Sequence, residues 1–112
     1  TCIRDFVHVN DLAQAHLQGL EKGIREDSGF TSYNLGNGNG FSVLDVIKAA
    51  ELVLEESIDY RIAARRAGDP DVLVADSSRA ASMLGWLPYS GDLTSILKSA
   101  WDWHKKYENE IK

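Results

Sequence analysis

The chain has 112 residues, which is enough for one domain or a part of one. Hydrophobic residues make up 44% and charged residues 26%, the balance of an ordinary globular protein, which excludes a disordered or collagen-like chain. The net charge of −5 argues against nucleic acid as the main partner. The single cysteine, Cys2, excludes an internal disulfide and cysteine-cluster metal sites, and it suits a reducing compartment.

The first half of the chain predicts two strands, each followed by a helix. Ile3–Val9 is rich in β-branched and aromatic residues and is typical of a strand. Asn10 or Asp11 is placed to cap the helix that follows, and the apolar stripe of this helix stops near Ser28. A second short strand is expected over Thr31–Leu35.

A glycine-rich loop, Gly36–Gly40, precedes the second helix. Ser42 and Asp45 form the pattern of a capping box, and apolar residues recur at helical spacing through Val43–Leu54. Glycines between a strand and a helix are able to cradle phosphates, but the G-x-G-x-G spacing is neither the dinucleotide fingerprint nor a P-loop. A tight turn in which glycines take positive φ is therefore the favoured interpretation.

The second half predicts a third strand over Ile58–Ile62 and two more helices. A brief helix begins at Asp76 or Ser77 and stops at Gly85, and Asp92 is placed to cap the last helix. Strands alternating with helices indicate an α/β fold with parallel pairing. The core is thin for a self-standing α/β layer, so we expect a fragment of a larger protein.

The arginines are concentrated in the second half, where four of them fall in one short window: Arg61, Arg65, Arg66 and Arg79. Two stand in the motif R-R-A-G-D-P, where a guanidinium is able to grip phosphate with paired hydrogen bonds. Asp69, after the turn at Gly68, is able to accept hydrogen bonds from sugar hydroxyls. The same residues fit a solvated polar loop with an internal Arg–Asp pair equally well.

Arg4 and Asp5 place charge inside the first, otherwise apolar strand. Because buried charge is costly unless it is paired, Arg4 is expected to pair with Asp5, to lie at a sheet edge or to meet a ligand anion. His8 is expected to be a hydrogen-bonded core histidine, and the histidines are too scattered to predict a metal site. The expected packing aromatics are Trp86, Trp101, Trp103 and Tyr107.

Several runs carry a family resemblance over almost the whole chain: Thr1–Val9, Tyr33–Gly38, Ser42–Val46, Arg65–Pro70, Ala75–Ser78, Leu84–Trp86 and Ala100–His104. In order and spacing they resemble the C-terminal part of the UDP-glucose 4-epimerase family, within the extended short-chain dehydrogenase/reductase superfamily. The resemblance implies the last helix and strand of an NAD-binding Rossmann domain over residues 1–35. It implies a small α/β domain that binds the UDP-sugar over residues 36–112.

The same resemblance implies a cytoplasmic, homodimeric, NAD-dependent enzyme of galactose metabolism. Such an enzyme interconverts UDP-glucose and UDP-galactose by removing hydride from C4 and returning it after the 4-keto sugar has turned. Carried over by position, Arg4 and Arg66 match arginines on the UDP phosphates, and Asp69 matches the aspartate that bonds the uridine ribose. Two positions depart from the family pattern, because Leu73 and Phe6 stand where some members carry tyrosine.

The catalytic pair of the family does not occur in this sequence. No tyrosine is followed four residues later by lysine, and no dinucleotide fingerprint is present. The chain alone is therefore expected to be inactive, with NAD bound by an N-terminal domain outside it. The alternatives are another UDP-sugar epimerase or dehydratase, acting on UDP-N-acetylglucosamine or UDP-glucuronate, and a non-catalytic nucleotide-sugar-binding module.

Overall fold

The computed structural model describes residues 1–26 and 29–111 and contains three short strands and four helices within them. The strands are β1 (Ile3–Arg4), β2 (Phe41–Ser42) and β3 (Val72–Leu73). The helices are α1 (Val9–Glu26), α2 (Val43–Leu54), α3 (Ser78–Leu84) and α4 (Leu93–Ile111). In the described ranges, no helix has the length and apolar character needed to cross a membrane.

The sheet has the order β2-β1-β3, so β1 is its central strand. Ile3 and Arg4 pair antiparallel with β2 on one side and parallel with β3 on the other. The backbone N–H of Ile3 also donates to the carbonyl of Asp71 at 2.8 Å, just before β3. The α/β class is confirmed, whereas the expected parallel sheet is in fact mixed.

The strand predictions were wrong in extent and partly in place. The strand expected over Ile3–Val9 ends after Arg4, and the carbonyl of Phe6 accepts from the side-chain amide of Asn37 rather than from a neighbouring strand. The segments Thr31–Leu35 and Ile58–Ile62 form no strand in the described structure, and the third strand is Val72–Leu73 instead. β-Propensity marks segments that fit a pleated surface, but a strand forms only where a partner lies alongside.

The core is a small cluster around Trp86, which is 1% exposed. Ala15 of α1 and Ala80 of α3 are buried against it, and their small side chains leave room for the indole ring. Gly85 takes φ 69° and ends α3, and its N–H and that of Trp86 bond to carbonyls of the last turn, as predicted from the sequence.

The start of α1 differs from the predicted cap. The ring Nδ1 of His8 accepts from the N–H of Asn10 at 3.0 Å, so neither Asn10 nor Asp11 caps this helix. His8 Nε2 lies 2.8 Å from the hydroxyl of Ser99 in α4, and the buried ring is hydrogen-bonded, as expected of a core histidine. The predicted end of the helix near Ser28 lies outside the described residues.

Helices α2 and α4 pack against each other, and α2 also contacts β2. The capping box of Ser42 and Asp45 is present in both directions, and Asp92 accepts from the N–H of Ser95 in the first turn of α4. Of the expected packing aromatics on α4, Trp103 is 61% exposed, because its face of the helix has no neighbour in the described structure. Tyr107 is exposed as well.

Candidate functional site

Arg4 and Asp69, which are 65 residues apart in sequence, form an ion pair beside the sheet. The guanidinium Nη2 of Arg4 lies 2.7 Å from Oδ1 of Asp69, and both side chains are mostly buried, with 25% and 21% exposed. Arg4 is further fixed by a 2.8 Å hydrogen bond from Nη1 to the carbonyl of Ile3. Two of the environments expected for Arg4 are wrong, since its partner is Asp69 rather than Asp5 and its strand is central rather than at a sheet edge. The third, contact with a ligand anion, stays a prediction.

Arg66 reaches the same carboxylate from within its own loop. Its Nη2 lies 3.4 Å from Oδ2 of Asp69, across a turn in which Gly68 has φ 80° and the N–H of Asp69 donates to the carbonyl of Arg66. The side chain of Arg66 is 86% exposed and projects toward solvent. The structure therefore brings together the three residues predicted as a site, Arg4, Arg66 and Asp69.

The charges around Asp69 decide its protonation. Partial desolvation by itself raises the pKa of this carboxyl group, but the guanidinium charges of Arg4 and Arg66 and their hydrogen bonds outweigh it, so its pKa lies below the ordinary value. The thiol of Cys2 also points at Oδ2 of Asp69, at 3.8 Å. Asp69 is a carboxylate at neutral pH, as an ordinary aspartate is, and it faces two cations.

The remaining arginines of the basic window do not join this cluster. Arg65 pairs with Asp71, and the guanidinium of Arg79 stands 5.7 Å from the centre of the Tyr33 ring. The basic window is therefore not one site, because Arg65 and Arg79 have other partners and Arg66 shares a carboxylate with Arg4. Arg65 and Arg66 also do not leave a strand end, because the segment before them forms no strand.

Arg66 and Asp69 line part of a groove of about 530 Å³. Its wall is largely apolar and comes from the first turns of α2 and from the segment before the arginines: Val43, Leu44, Ile47, Tyr60, Ile62, Ala63 and Ala64. This size lies within the range of small-molecule sites, which combine apolar walls with a few polar groups. A second groove of about 360 Å³ runs along α1 but does not include the arginine–aspartate cluster.

Asp5 is the residue whose role the sequence analysis missed. One of its carboxylate oxygens accepts from the N–H of Asn37 at 2.8 Å, and the other from those of Gly38 and Ala75 at 3.1 and 3.3 Å. Asp5 therefore fastens the glycine loop and the segment after β3 to the end of β1. The signal that could have found this role is a carboxylate in an apolar strand, since such a group must be bound by hydrogen-bond donors.

The glycine loop is a turn, as favoured, but two of its glycines are needed for space rather than for φ. Gly38 takes φ 78°. A β-carbon on Gly36 would overlap the carboxylate of Asp5 and the side chain of Ala75, and one on Gly40 would overlap Ile3. In residues 1–26 and 29–111, no group of three His, Cys, Asp or Glu side chains is placed to hold a metal ion.

Comparisons with known proteins agree on one family. A curated UDP-glucose 4-epimerase from Halalkalibacterium halodurans is 46% identical over 107 residues, which are 96% of this chain and 32% of the relative. A solved UDP-glucose 4-epimerase from Stenotrophomonas maltophila, with bound NAD and formylated UDP-arabinopyranose, is 38% identical with a TM-score of 0.88 and covers 98% of this chain. The chain covers 32% of that structure.

A third similar protein is the solved UDP-Glc/GlcNAc 4-epimerase from Campylobacter jejuni, 44% identical with a TM-score of 0.80 over 95% of this chain and 32% of that one. No family model matches the chain. The match lies in the C-terminal part of these enzymes, and the chain spans about a third of the length of the relatives.

Proposed function

Since the chain belongs to the UDP-glucose 4-epimerase family and matches the C-terminal part of its members, we propose that it is the UDP-sugar-binding portion of such an enzyme. The observation that carries the proposal is the contact of both Arg4 and Arg66 with Asp69, beside an open groove that Arg66 and Asp69 line. The reaction proposed for the whole enzyme is the interconversion of UDP-glucose and UDP-galactose.

The two arginines are assigned to the diphosphate. A guanidinium keeps its charge at any physiological pH and presents paired N–H donors that match phosphate oxygens. Arg4 is held in place by the carbonyl of Ile3, so it is preorganised, whereas exposed Arg66 is free to turn onto a second phosphate. Preorganisation lowers the entropic cost of binding, and a mobile second cation adapts to the ligand.

Asp69 is assigned to the ribose. Its two oxygens offer about four lone-pair positions, of which Arg4, Arg66 and the more distant thiol of Cys2 each face one. The remaining positions are available to accept hydrogen bonds from sugar hydroxyls. The carboxyl group is ionised across the physiological range, as an ordinary aspartate is, and its lowered pKa extends this acceptor form to more acid pH. A nucleoside diphosphate requires an acceptor for its sugar hydroxyls beside cations for its phosphates, and Asp69 with Arg4 and Arg66 provides this arrangement.

The cofactor belongs elsewhere in the proposed enzyme. NAD supplies reversible hydride transfer at C4 when bound, but the residues of this chain do not fit it. The glycine loop has the wrong spacing for a dinucleotide, and its Gly36 and Gly40 are packed against Asp5 and Ile3. We place the NAD site and the catalytic tyrosine and lysine in the part of the relatives that this chain does not span, and we assign residues 1–35 to the end of the Rossmann domain.

The proposal also covers the location, the oligomeric state and the substrate range of the enzyme. The family resemblance supports a cytoplasmic homodimer of galactose metabolism, with residues 36–112 as the substrate-binding domain. A second substrate, UDP-N-acetylglucosamine, is supported by the 44% identical enzyme named UDP-Glc/GlcNAc 4-epimerase. Leu73 on β3, which stands where some members carry a tyrosine, is consistent with a different sugar contact.

The test is a chimaeric enzyme in which this chain replaces the matching C-terminal part of the 46% identical relative. We expect it to convert UDP-galactose to UDP-glucose, and assays with UDP-N-acetylgalactosamine decide whether the second sugar is accepted. A variant chimaera that carries Arg66→Ala should bind substrate more weakly, with a raised KM. A well-folded chimaera that binds NAD but not UDP would contradict the proposal.

A further inference from the structure

The carboxylate of Asp69 lies where a phosphate would be expected to compete with it. Arg4 donates to Oδ1 at 2.7 Å and Arg66 faces Oδ2 at 3.4 Å, so one carboxylate occupies both cations. A phosphate that approaches the two guanidiniums must therefore share them with a negative charge already in contact. Each of the two anions weakens the binding of the other.

Arg4 does not depend on Asp69 for its position. Its Nη1 is bound to the carbonyl of Ile3 at 2.8 Å, and its backbone is held in the central strand of the sheet. Loss of the Asp69 charge would leave the cation in place and make it more available. A merely structural carboxylate would have the opposite effect, because its loss would disorganise the guanidiniums.

We propose that Asp69 is a specificity-determining residue that makes diphosphate binding conditional on an attached ribose. A bare diphosphate meets the repulsion of the carboxylate and gains nothing from it. A nucleoside diphosphate offsets that repulsion by donating hydroxyl hydrogens to the free lone pairs of the same carboxylate. The site thus rejects free phosphates and pyrophosphate by charge. This inference rests on the proposed function, since it takes Arg4 and Arg66 as the diphosphate ligands.

The test compares Asp69→Asn with a matched control, Asp71→Asn. Both remove one negative charge from the same loop, but Asp71 pairs with Arg65 and touches neither Arg4 nor Arg66. Pyrophosphate and UDP are titrated separately by calorimetry into the full chain and into the NAD-loaded chimaera, in which the cofactor's own diphosphate site is filled. Circular dichroism checks that each variant is folded, and Asp69→Ser serves as a second variant.

Asp69→Asn is expected to tighten pyrophosphate binding about fivefold, the effect of removing one close charge at the surface. UDP should bind no more tightly than to the parent, because the gain at the phosphates is offset by a poorer ribose contact. Asp71→Asn should change either affinity less than twofold. The ratio of UDP to pyrophosphate affinity is thus expected to fall about fivefold or more in the Asp69 variants alone.

Unchanged or weaker pyrophosphate binding in both folded Asp69 variants would overturn the inference. An equal gain in Asp71→Asn would overturn it too, because it would show general charge screening. Failure of the proposed function is a different result, since the unmodified chimaera would then bind no UDP. A chimaera that binds UDP normally, with no pyrophosphate gain in the variants, leaves the proposed function intact and removes only the role of Asp69 as a filter.

Discussion

The indole Nε1 of Trp86 donates a hydrogen bond to the backbone carbonyl of Asp11, 2.8 Å away and 75 residues earlier in the chain. The carboxylate of the same Asp11 accepts from the N–H groups of Tyr89 and Ser90. The segment after α3 is therefore fastened to the start of α1 through both the backbone and the side chain of one aspartate.

Replacement of Trp86 tests how much its hydrogen bond to Asp11 contributes to stability. Trp86→Phe keeps an aromatic ring in the core but removes the indole donor, so the Asp11 carbonyl loses the hydrogen bond that ties it to the segment after α3. We expect a loss of about 1–3 kcal/mol in the free energy of unfolding, measured by urea denaturation. Trp103→Phe is the control, because Trp103 is 61% exposed, and it should change stability by less than about 0.5 kcal/mol.

The close packing of the glycine loop gives a second stability prediction. Gly36→Ala forces a β-carbon against Asp5 and Ala75, and it should destabilise the protein by about 1–3 kcal/mol. Gly19→Ala lies within α1 with no atom inside 4 Å of the new β-carbon, and it should stabilise by about 0.5–1 kcal/mol. Thermal melts of the two variants that shift in the same direction would contradict the packing argument.

The helices and the strands differ in how far the sequence could predict them. The ends of α2 and α3 are set by local signals, the Ser42–Asp45 box and Gly85, so pattern analysis located them correctly. The strands are two residues long and exist only through their partners, so composition placed strands at Thr31–Leu35 and Ile58–Ile62 where none forms.

The site shows the same division between local and distant contacts. Arg66 and Asp69 are three residues apart, so their contact was one of the two interpretations open for the loop. The Arg4–Asp69 contact spans 65 residues, and only the family resemblance suggested that both belong to one site. The part played by Asp5 was missed because the only partner considered for it was Arg4, in one of three open alternatives, and a charge pattern does not show which backbone amides will face a carboxylate.

Arg66 gives the sharpest prediction on binding. Arg66→Ala in the chimaeric enzyme should weaken UDP about ten- to a hundredfold, because a charge-assisted contact to phosphate is lost. Arg66→Lys should restore only part of the affinity, since an ammonium cannot form the paired bonds. Arg65→Ala, whose arginine pairs with Asp71, is the control. An unchanged UDP affinity in Arg66→Ala would contradict the assignment and favour the interpretation of this loop as a solvated polar surface.

The capping box predicts an acid-sensitive helix. Hydrogen bonds from the backbone and side chain of Ser42 hold the pKa of Asp45 below its ordinary value of 3.8. Because the folded pKa is the lower one, the contribution of Asp45 to stability is complete above the unfolded value. It is lost as the pH falls through the folded pKa. Asp45→Asn should lose less stability than the parent between pH 5 and pH 2, measured by urea unfolding at each pH.

The chain alone should not catalyse epimerisation. With NAD and UDP-galactose supplied, we expect no UDP-glucose above a blank without protein, because no tyrosine in the sequence is followed four residues later by lysine. The chimaera measured beside it provides the positive control. Turnover by the purified chain would show that a different base acts and would require the catalytic assignment to be replaced.

Arg4 lies on β1, the central strand that holds the other two strands together. Asp69 reaches Arg4 only when β3 has docked on β1, so a partly folded form that lacks this strand pairing also lacks the Arg4–Asp69 ion pair. Closing so long a loop is slow compared with forming a helix. If UDP binds at this ion pair as proposed, UDP present during refolding would act late, on molecules that have already completed the sheet. It would raise the yield of folded protein without raising the rate of folding.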